Sequence, residues 1–370
     1  MAIKIPQGLI NVARPTHIDI NSTALLHNLN QVRQYASRQK IIAMVKADAY
    51  GCGLASVLPV LEGRVDAFGV SCIEEAKALR ALGSRSPCVL FQGVYHQDEL
   101  EFLTSLHVEC VVHQALQLKW ILNTPMTKKI KVWVKVNTGM QRLGFLPEEV
   151  SQVVEALLAC PWIDKEIGLM THLSCADEPE NPANQMQLAQ FNQIQLSDTK
   201  IIRSIANSAA IMALKDAHAD VVRPGIMLYG VSPFDNQIGQ TLGLIPVLRF
   251  ISAISVIHHY PPHRPIGYGG TWRSDRPTVI GVVPVGYGDG YPRHIGQNTP
   301  TWVNGLIAPI VGRVSMDMLT IDLTHCPEVK EGDPVELWGQ YIPVETIAKS
   351  AKTFAYELNC QLTARTRHYR

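Results

Sequence analysis

Between Ile41 and Gly230 the chain repeats one unit: a short run of β-branched and apolar residues, then a stretch with helical periodicity. The strand-like runs are Ile41–Lys46, Ala67–Val70, Cys88–Gln92, Glu109–Val112, Lys131–Val136, Ile167–His172, Ile201–Ile205 and Val221–Leu228. Helix candidates lie between them, among them Cys72–Leu82, Pro147–Ala159 and Asn184–Gln195. Behind Pro147, the acidic Glu148 and Glu149 suit the positive end of a helix. Eight parallel strands, each with a helix to carry the chain back, close on themselves through right-handed crossovers as a (β/α)8 barrel. The expected fold is therefore α/β in its N-terminal part.

Beyond Gln240 the helical period gives way to β-branched runs punctuated by Pro and Gly: Val247–Ile257, Thr278–Val285, Pro309–Met318 and Pro334–Leu337. This predicts a second, mainly β domain over residues 241–370, joined by an N-terminal strand within about residues 1–20, with the barrel over residues 12–240. A chain of 370 residues is long for one core, which agrees with two domains. The net charge of +1 gives no reason to expect nucleic acid or an anionic membrane as partner. No apolar run approaches the roughly 20 residues that span a bilayer. The first residues lack the apolar stretch of a secretory signal, so a cytoplasmic location is expected. The eight cysteines form no CxxC pair and read as reduced thiols, with no metal site expected.

A barrel of this kind carries its chemistry at the C-terminal ends of its strands. Those ends hold Lys46, Asn137 with Arg142, His172, Asn207 with Ser208, and Arg223 with Gly225. Lys46 closes an apolar run and is followed by Tyr50, Gly51 and Gly53. Apolar surroundings disfavour an ammonium, which makes such a lysine a usable nucleophile or base. Tyr50 is expected to open a helix whose N-terminus, with the glycine amides nearby, would favour a phosphate. Together these residues suggest a Schiff-base lysine beside a phosphate-bearing aldehyde. Taken alone, Lys46 reads more readily as a strand-end lysine reaching into water; the rest of the chain changes that reading.

Longer segments carry a resemblance. They are Val45-Lys46-Ala47-Asp48-Ala49-Tyr50-Gly51, Asn137-Thr138-Gly139-Met140-Gln141-Arg142-Leu143-Gly144, Thr171-His172-Leu173-Ser174 and Arg223-Pro224-Gly225-Ile226-Met227-Leu228-Tyr229-Gly230, then Gly267-Tyr268-Gly269, Tyr287-Gly288-Asp289-Gly290-Tyr291-Pro292-Arg293 and Gly312-Arg313-Val314-Ser315-Met316-Asp317. In order and spacing the chain resembles the alanine racemases, fold-type III enzymes that use pyridoxal 5'-phosphate. The resemblance implies that Lys46 carries the cofactor as a Schiff base and is one of two catalytic bases. Tyr268 would be the other, on the opposite face of the substrate. A free tyrosine with a pKa of about 10 is a poor base at neutral pH, and His172 with a nearby cation would help it.

By the same resemblance Arg223 faces the pyridine nitrogen, and Tyr50, Ser208, Gly225, Ile226 and Tyr356 hold the phosphate. Arg142, Met316 and Asp317 contact the substrate carboxylate, and Asp177, Tyr287, Arg293 and Arg313 line the entrance. Lys135 matches a lysine often carbamylated in relatives. Asn137 stands where the family usually has Asp, which leaves a chloride or an unmodified Lys135 as alternatives. The expected function is interconversion of L- and D-alanine for peptidoglycan, in a homodimer whose sites are shared between chains. A broad-specificity amino-acid racemase, a barrel decarboxylase and a non-catalytic cofactor-binding protein are the competing readings.

Overall fold

The computed structural model describes residues 14–196 and 200–369, which sort into two compact units, Ser22–Ile245 and the stretch up to Asn21 with everything from Pro246 on. Strand β1 (His17–Ile20) belongs to the latter unit. In the former, β2 (Lys40–Met44), β3 (Ala67–Val70), β4 (Cys88–Leu90), β5 (Val108–Val112), β6 (Val132–Lys135), β7 (Glu166–Met170), β8 (Lys200–Ser204) and β9 (Val221–Val222) close, in that order, into a parallel barrel. This is the barrel the alternation predicts. Its strands are near-continuous apolar runs because both faces are covered; every residue of β3 and β4 is buried.

The last strand is shorter than the expected Val221–Leu228. Pro224 has no N–H for a ladder, and the chain coils through a short helical turn, Ile226–Tyr229, that ends at Gly230 with φ of 81°. Neighbouring strands also fit by size. A β-carbon on Gly168 of β7 would overlap the indole of Trp133 on β6, whose N–H donates to the Glu109 carboxylate at 2.6 Å. Burial pushes that carboxyl group up.

In the second unit β10 (Leu248–Ala253), β11 (Val256–Tyr260), β14 (Thr278–Val283), β15 (Pro300–Val303), β16 (Leu306–Val311), β17 (Leu319–Asp322), β18 (Pro334–Trp338) and β19 (Arg367–Tyr369) join β1 in one sheet. The order is β11-β14-β17-β16-β15-β18-β10-β1-β19, with β12 (Pro265–Ile266) and β13 (Trp272–Arg273) as a separate small hairpin. The pairs are antiparallel except β1 with β19. The expected run Val247–Ile257 is two strands: the Ile254 amide still reaches Asp333 before β18, but Ser255 already donates to Val282 of β14. Similarly the run Pro309–Met318 ends as a strand at Val311, where Gly312 turns with φ of 73°.

Gly168→Ala should destabilise the barrel by about 1–3 kcal/mol, since the added methyl has no space without moving Trp133. A thermal melt reads this as a lowered Tm, and combining it with Trp133→Phe should return part of the loss.

Candidate active site

Lys46 follows β2 after the single residue Val45, and what comes after it is unusual. Ala47, Asp48, Ala49 and Tyr50 all have φ between 50° and 55°, a left-handed helical turn made without glycine. Each such residue costs roughly 1–2 kcal/mol in β-carbon strain, so outside contacts must hold the turn. The Ala49 amide bonds Val45 O at 2.9 Å and Gly51 bonds Ala47 O at 3.0 Å. Asp48 accepts from the Leu54 amide at 2.7 Å, and Glu75 accepts from Ala47 at 2.7 Å. Tyr50 therefore does not open a helix, as the sequence suggested. It ends the left-handed turn, and the next helix is Leu54–Leu61.

The Tyr50 ring stacks on that of Tyr229 at 4.9 Å, and Tyr229 Oη donates to Met44 O at 2.8 Å, fixing the end of β2. A β-carbon on Gly225 would run into the Tyr50 hydroxyl and come within 3.0 Å of its Cζ. Gly225 also donates its amide to Ser208 Oγ at 2.9 Å. Two hydroxyls and a glycine backbone thus converge on one spot, a cradle that a side chain at residue 225 would fill. The donor set fits a phosphate.

Arg223, 4% exposed, lies beside this cradle. Its guanidinium donates to Ser204 Oγ at 2.6 Å, Thr171 O at 2.7 Å and Ile205 O at 2.9 Å. Burial lowers its pKa to about 10. Nη2 also points at His172 Nδ1, 3.4 Å away. A guanidinium has only donors, so that nitrogen must be the acceptor and His172 a neutral ring protonated at Nε2. Burial, then Lys135, Arg223, Arg142 and Lys46, hold His172 well below its usual range. Lys135 is also held well below the usual lysine range, by burial and then by Arg223 and Arg142. Among the described residues no Asp or Glu makes an ion pair with Lys135, Arg142 or Arg223.

The loop after β6 is held by Asn137, whose Oδ1 accepts from the Gly139 and Gln141 amides and whose Nδ2 donates to Gln141 at 2.9 Å. This gives Asn137 a structural job in presenting the exposed Arg142. Behind it, Gln187 donates to Thr138 and to the His172 carbonyl at 3.1 Å and accepts from the Ser174 amide. Asp177 lies exposed in the loop after β7.

In the β unit the remaining candidates gather on adjoining loops. Tyr268 is 66% exposed, on a turn whose flanking Gly267 and Gly269 have φ of 71° and 72° and lie against Arg313. Arg293 stands 5.7 Å over the Tyr287 ring and donates to Val314 O. Asp317, next to the exposed Met316, accepts from Arg365 at 2.7 Å. Arg365 also reaches the fully buried Asp289, which is paired with Arg14 at 2.6 Å. Tyr356 is half-buried, with its ring near that of Phe354. Ser204, Thr171, Glu75 and Arg365 were not singled out from sequence. For Ser204 the available signal was a buried serine at the end of the strand that precedes Asn207 and Ser208.

Cations packed this closely without carboxylates repel one another unless a ligand brings the missing anions. The barrel unit is thus of the enzyme class that receives an anionic small molecule at the C-terminal strand ends, against a lysine amine. Family models agree: the alanine racemase N-terminal domain matches residues 20–233 and the C-terminal domain residues 247–369. An alanine racemase of Legionella pneumophila (strain Lens) is 59% identical over 357 residues, 96% of this chain and 100% of that protein. The crystal structure of biosynthetic alanine racemase from Pseudomonas aeruginosa superposes with a TM-score of 0.91 at 36% identity, over 96% of this chain and 99% of that one. An alanine racemase from Bartonella henselae with covalently bound pyridoxal phosphate gives a TM-score of 0.86 at 27% identity, over 96% and 99% of the two chains. The chain belongs to the alanine racemase family.

Gly225→Ala should weaken pyridoxal phosphate binding by about tenfold or more, since the methyl takes the cradle from Tyr50. Absorbance titration of the stripped protein measures it. Stability should also depend on pH through His172. Unfolded, a histidine takes its proton at about pH 6.5; folded His172 does so only at lower pH. Below about 6.5 the unfolded chain binds more protons, so this contribution is full above that value and is lost as pH falls. His172→Gln should flatten that part of the slope in urea unfolding, while His113, also lowered by burial, keeps its own share.

Proposed function

We propose that the protein interconverts L- and D-alanine with pyridoxal phosphate carried on Lys46, using Lys46 and Tyr268 as bases on opposite faces of the α-carbon. The observation that carries this reading is the unbalanced cation cluster around the Tyr50–Ser208–Gly225 cradle, directly beside Lys46 on the barrel's catalytic face. When bound, pyridoxal phosphate supplies an aldehyde that joins an amine and a ring that draws electron density from the α-carbon.

The protein's own residues do the rest. Tyr50, Ser208, and the Gly225 and Ile226 backbone hold the phosphate, with Tyr356 as a further hydroxyl. Arg223 keeps its protons at neutral pH, so a pyridine nitrogen beside it would accept a hydrogen bond without being protonated and the ring would draw charge weakly. Beside a ring that would hold charge only weakly, Lys46 or Tyr268 would return a proton to the α-carbon quickly, which disfavours other outcomes. Arg142 and the Met316 amide take the substrate carboxylate, with Asp317 holding its own loop. Lys46 Nζ exchanges a proton at one face. Tyr268 Oη does so at the other, assisted by the neutral His172, whose Nε2–H is a donor. Lys135, kept short of protons by its neighbours, has the reactivity a carbamate needs. Asp177, Tyr287, Arg293 and Arg313 screen entry.

Tyr268 is also well exposed on a single chain. This supports a homodimer in which the β unit of one chain completes the barrel of its partner. A cytoplasmic, peptidoglycan-supplying role is part of the same proposal, supported by the likeness to alanine racemases. Among the described residues no helix is long and apolar enough to cross a membrane.

Racemisation of L-alanine, followed by loss of optical rotation against a panel of other L-amino acids, tests the activity and its range. Borohydride reduction should fix the cofactor to the peptide containing Lys46, as read by mass spectrometry; a label on Lys135 would overturn the assignment. Mixing inactive Lys46→Ala and Tyr268→Phe proteins under subunit exchange should restore roughly a quarter of wild-type activity if sites are shared between chains. Sites built within one chain would restore nothing.

A further inference from the structure

The left-handed turn after Lys46 cannot be held by its own hydrogen bonds alone. Its internal bonds start at Ala49, so the amides at its beginning need partners elsewhere. Glu75 supplies one of them. Its Oε1 accepts from Ala47 at 2.7 Å, and its Oε2 accepts from Ser71 at 2.7 Å. Ser71 directly follows β3, as Lys46 follows the Met44–Val45 end of β2, and Val45 already pairs with Gly69 of β3 at 2.9 Å. One carboxylate therefore ties together the C-terminal ends of two neighbouring barrel strands, immediately behind the lysine.

The position suits a charged group. Glu75 is in the first turn of the helix Ile73–Ala81, where the helix N-terminus favours an anion. Both its oxygens face backbone N–H donors, an arrangement only a carboxylate satisfies: an amide would turn an NH2 group toward one of the donors. An aspartate, one methylene shorter, cannot span the same gap without moving the helix.

We propose that Glu75 is a positioning residue for Lys46. By pinning the first amide of the left-handed turn to the end of β3, it keeps the strained backbone in place and fixes the direction from which the lysine amine enters the site. This rests on the reading of Lys46 as the imine-forming lysine, and the test separates the two.

Three variants are compared with wild type: Glu75→Gln, Glu75→Ala and Glu75→Ala with Ala47→Gly, with Glu74→Gln on the exposed neighbour as control. Hydrogen exchange of residues 44–53 is followed in protein stripped of cofactor. The rate at which added pyridoxal phosphate develops imine absorbance, and kcat for alanine, are measured alongside. In Glu75→Gln the Ala47 amide should exchange about tenfold faster or more, while exchange elsewhere in the barrel stays unchanged. Imine formation and kcat should fall by about 10- to 100-fold, as expected for a displaced reacting group. Glycine at residue 47 takes a φ near 50° freely and should return part of both in the double variant. Wild-type exchange and imine formation in Glu75→Gln would overturn the proposal. So would a general loss of folded protein that Ala47→Gly does not relieve, which would make Glu75 a folding residue only. If wild-type protein forms the imine but does not racemise alanine, the functional reading fails while exchange and imine rates still judge Glu75.

Discussion

The barrel closes around a buried guanidinium. β9 has only two residues, so the seam between β8 and β9 rests on few ladder bonds. Arg223, the next residue, crosses that seam to Ser204 at the end of β8 and to the carbonyls of Thr171 and Ile205 behind β7 and β8. A buried cation without a carboxylate is costly unless its hydrogens are satisfied; here neutral oxygens satisfy them. The same contacts leave the charge itself uncompensated, and that sets the state of its neighbours. Burial first, and then the surrounding cations with Arg223 among them, hold His172 neutral and make Lys135 bind its proton weakly. Closure of the fold and electrostatics of the site are one arrangement.

Most of the barrel could be read from the sequence because hydrophobic alternation is a local signal. Strand ends followed from it, and so did the candidates Lys46, His172, Ser208 and Arg223. What could not be read depends on non-local geometry. Nothing in Ala47-Asp48-Ala49-Tyr50 marks a left-handed turn, since none of these residues prefers that region and Glu75, which helps to hold them, lies far along the chain. Ser204 looks like any serine until Arg223 is brought beside it. The run Val247–Ile257 reads as one strand because its pattern is continuous; it divides at Ser255 because its hydrogen-bonding partner changes. The cut at Pro224 was visible in principle, as proline rarely continues a ladder.

Glycine and strain are distributed unequally between the two sets of candidate residues. In the barrel unit the turn after Lys46 uses alanines and an aspartate in a conformation that resists them. In the β unit the loops carrying Tyr268 and Met316 use glycines: Gly267, Gly269 and Gly312 take positive φ without strain, and a β-carbon on Gly286 would overlap the Ser315 and Met316 backbone. The first arrangement is rigid because it is over-determined. The second is tight because loops pack backbone to backbone, and the chain Arg14–Asp289–Arg365–Asp317 ties them together with charge.

The placement of β1 has a consequence for how the chain comes into being. It leaves the ribosome before the other described strands, yet its two neighbours are β10 (Leu248–Ala253) and β19 (Arg367–Tyr369), both far along the chain. Until β19 has been made, His17–Ile20 has an open edge on at least one side, while the segment Ser22–Ile245 that forms the barrel unit is already complete in sequence. Full pairing of β1 must wait for β19, and contacts this distant in sequence form slowly. The edge of β1 is short and alternates His17 and Asp19 with Ile18 and Ile20, which limits the pairing it can offer to other chains in that interval.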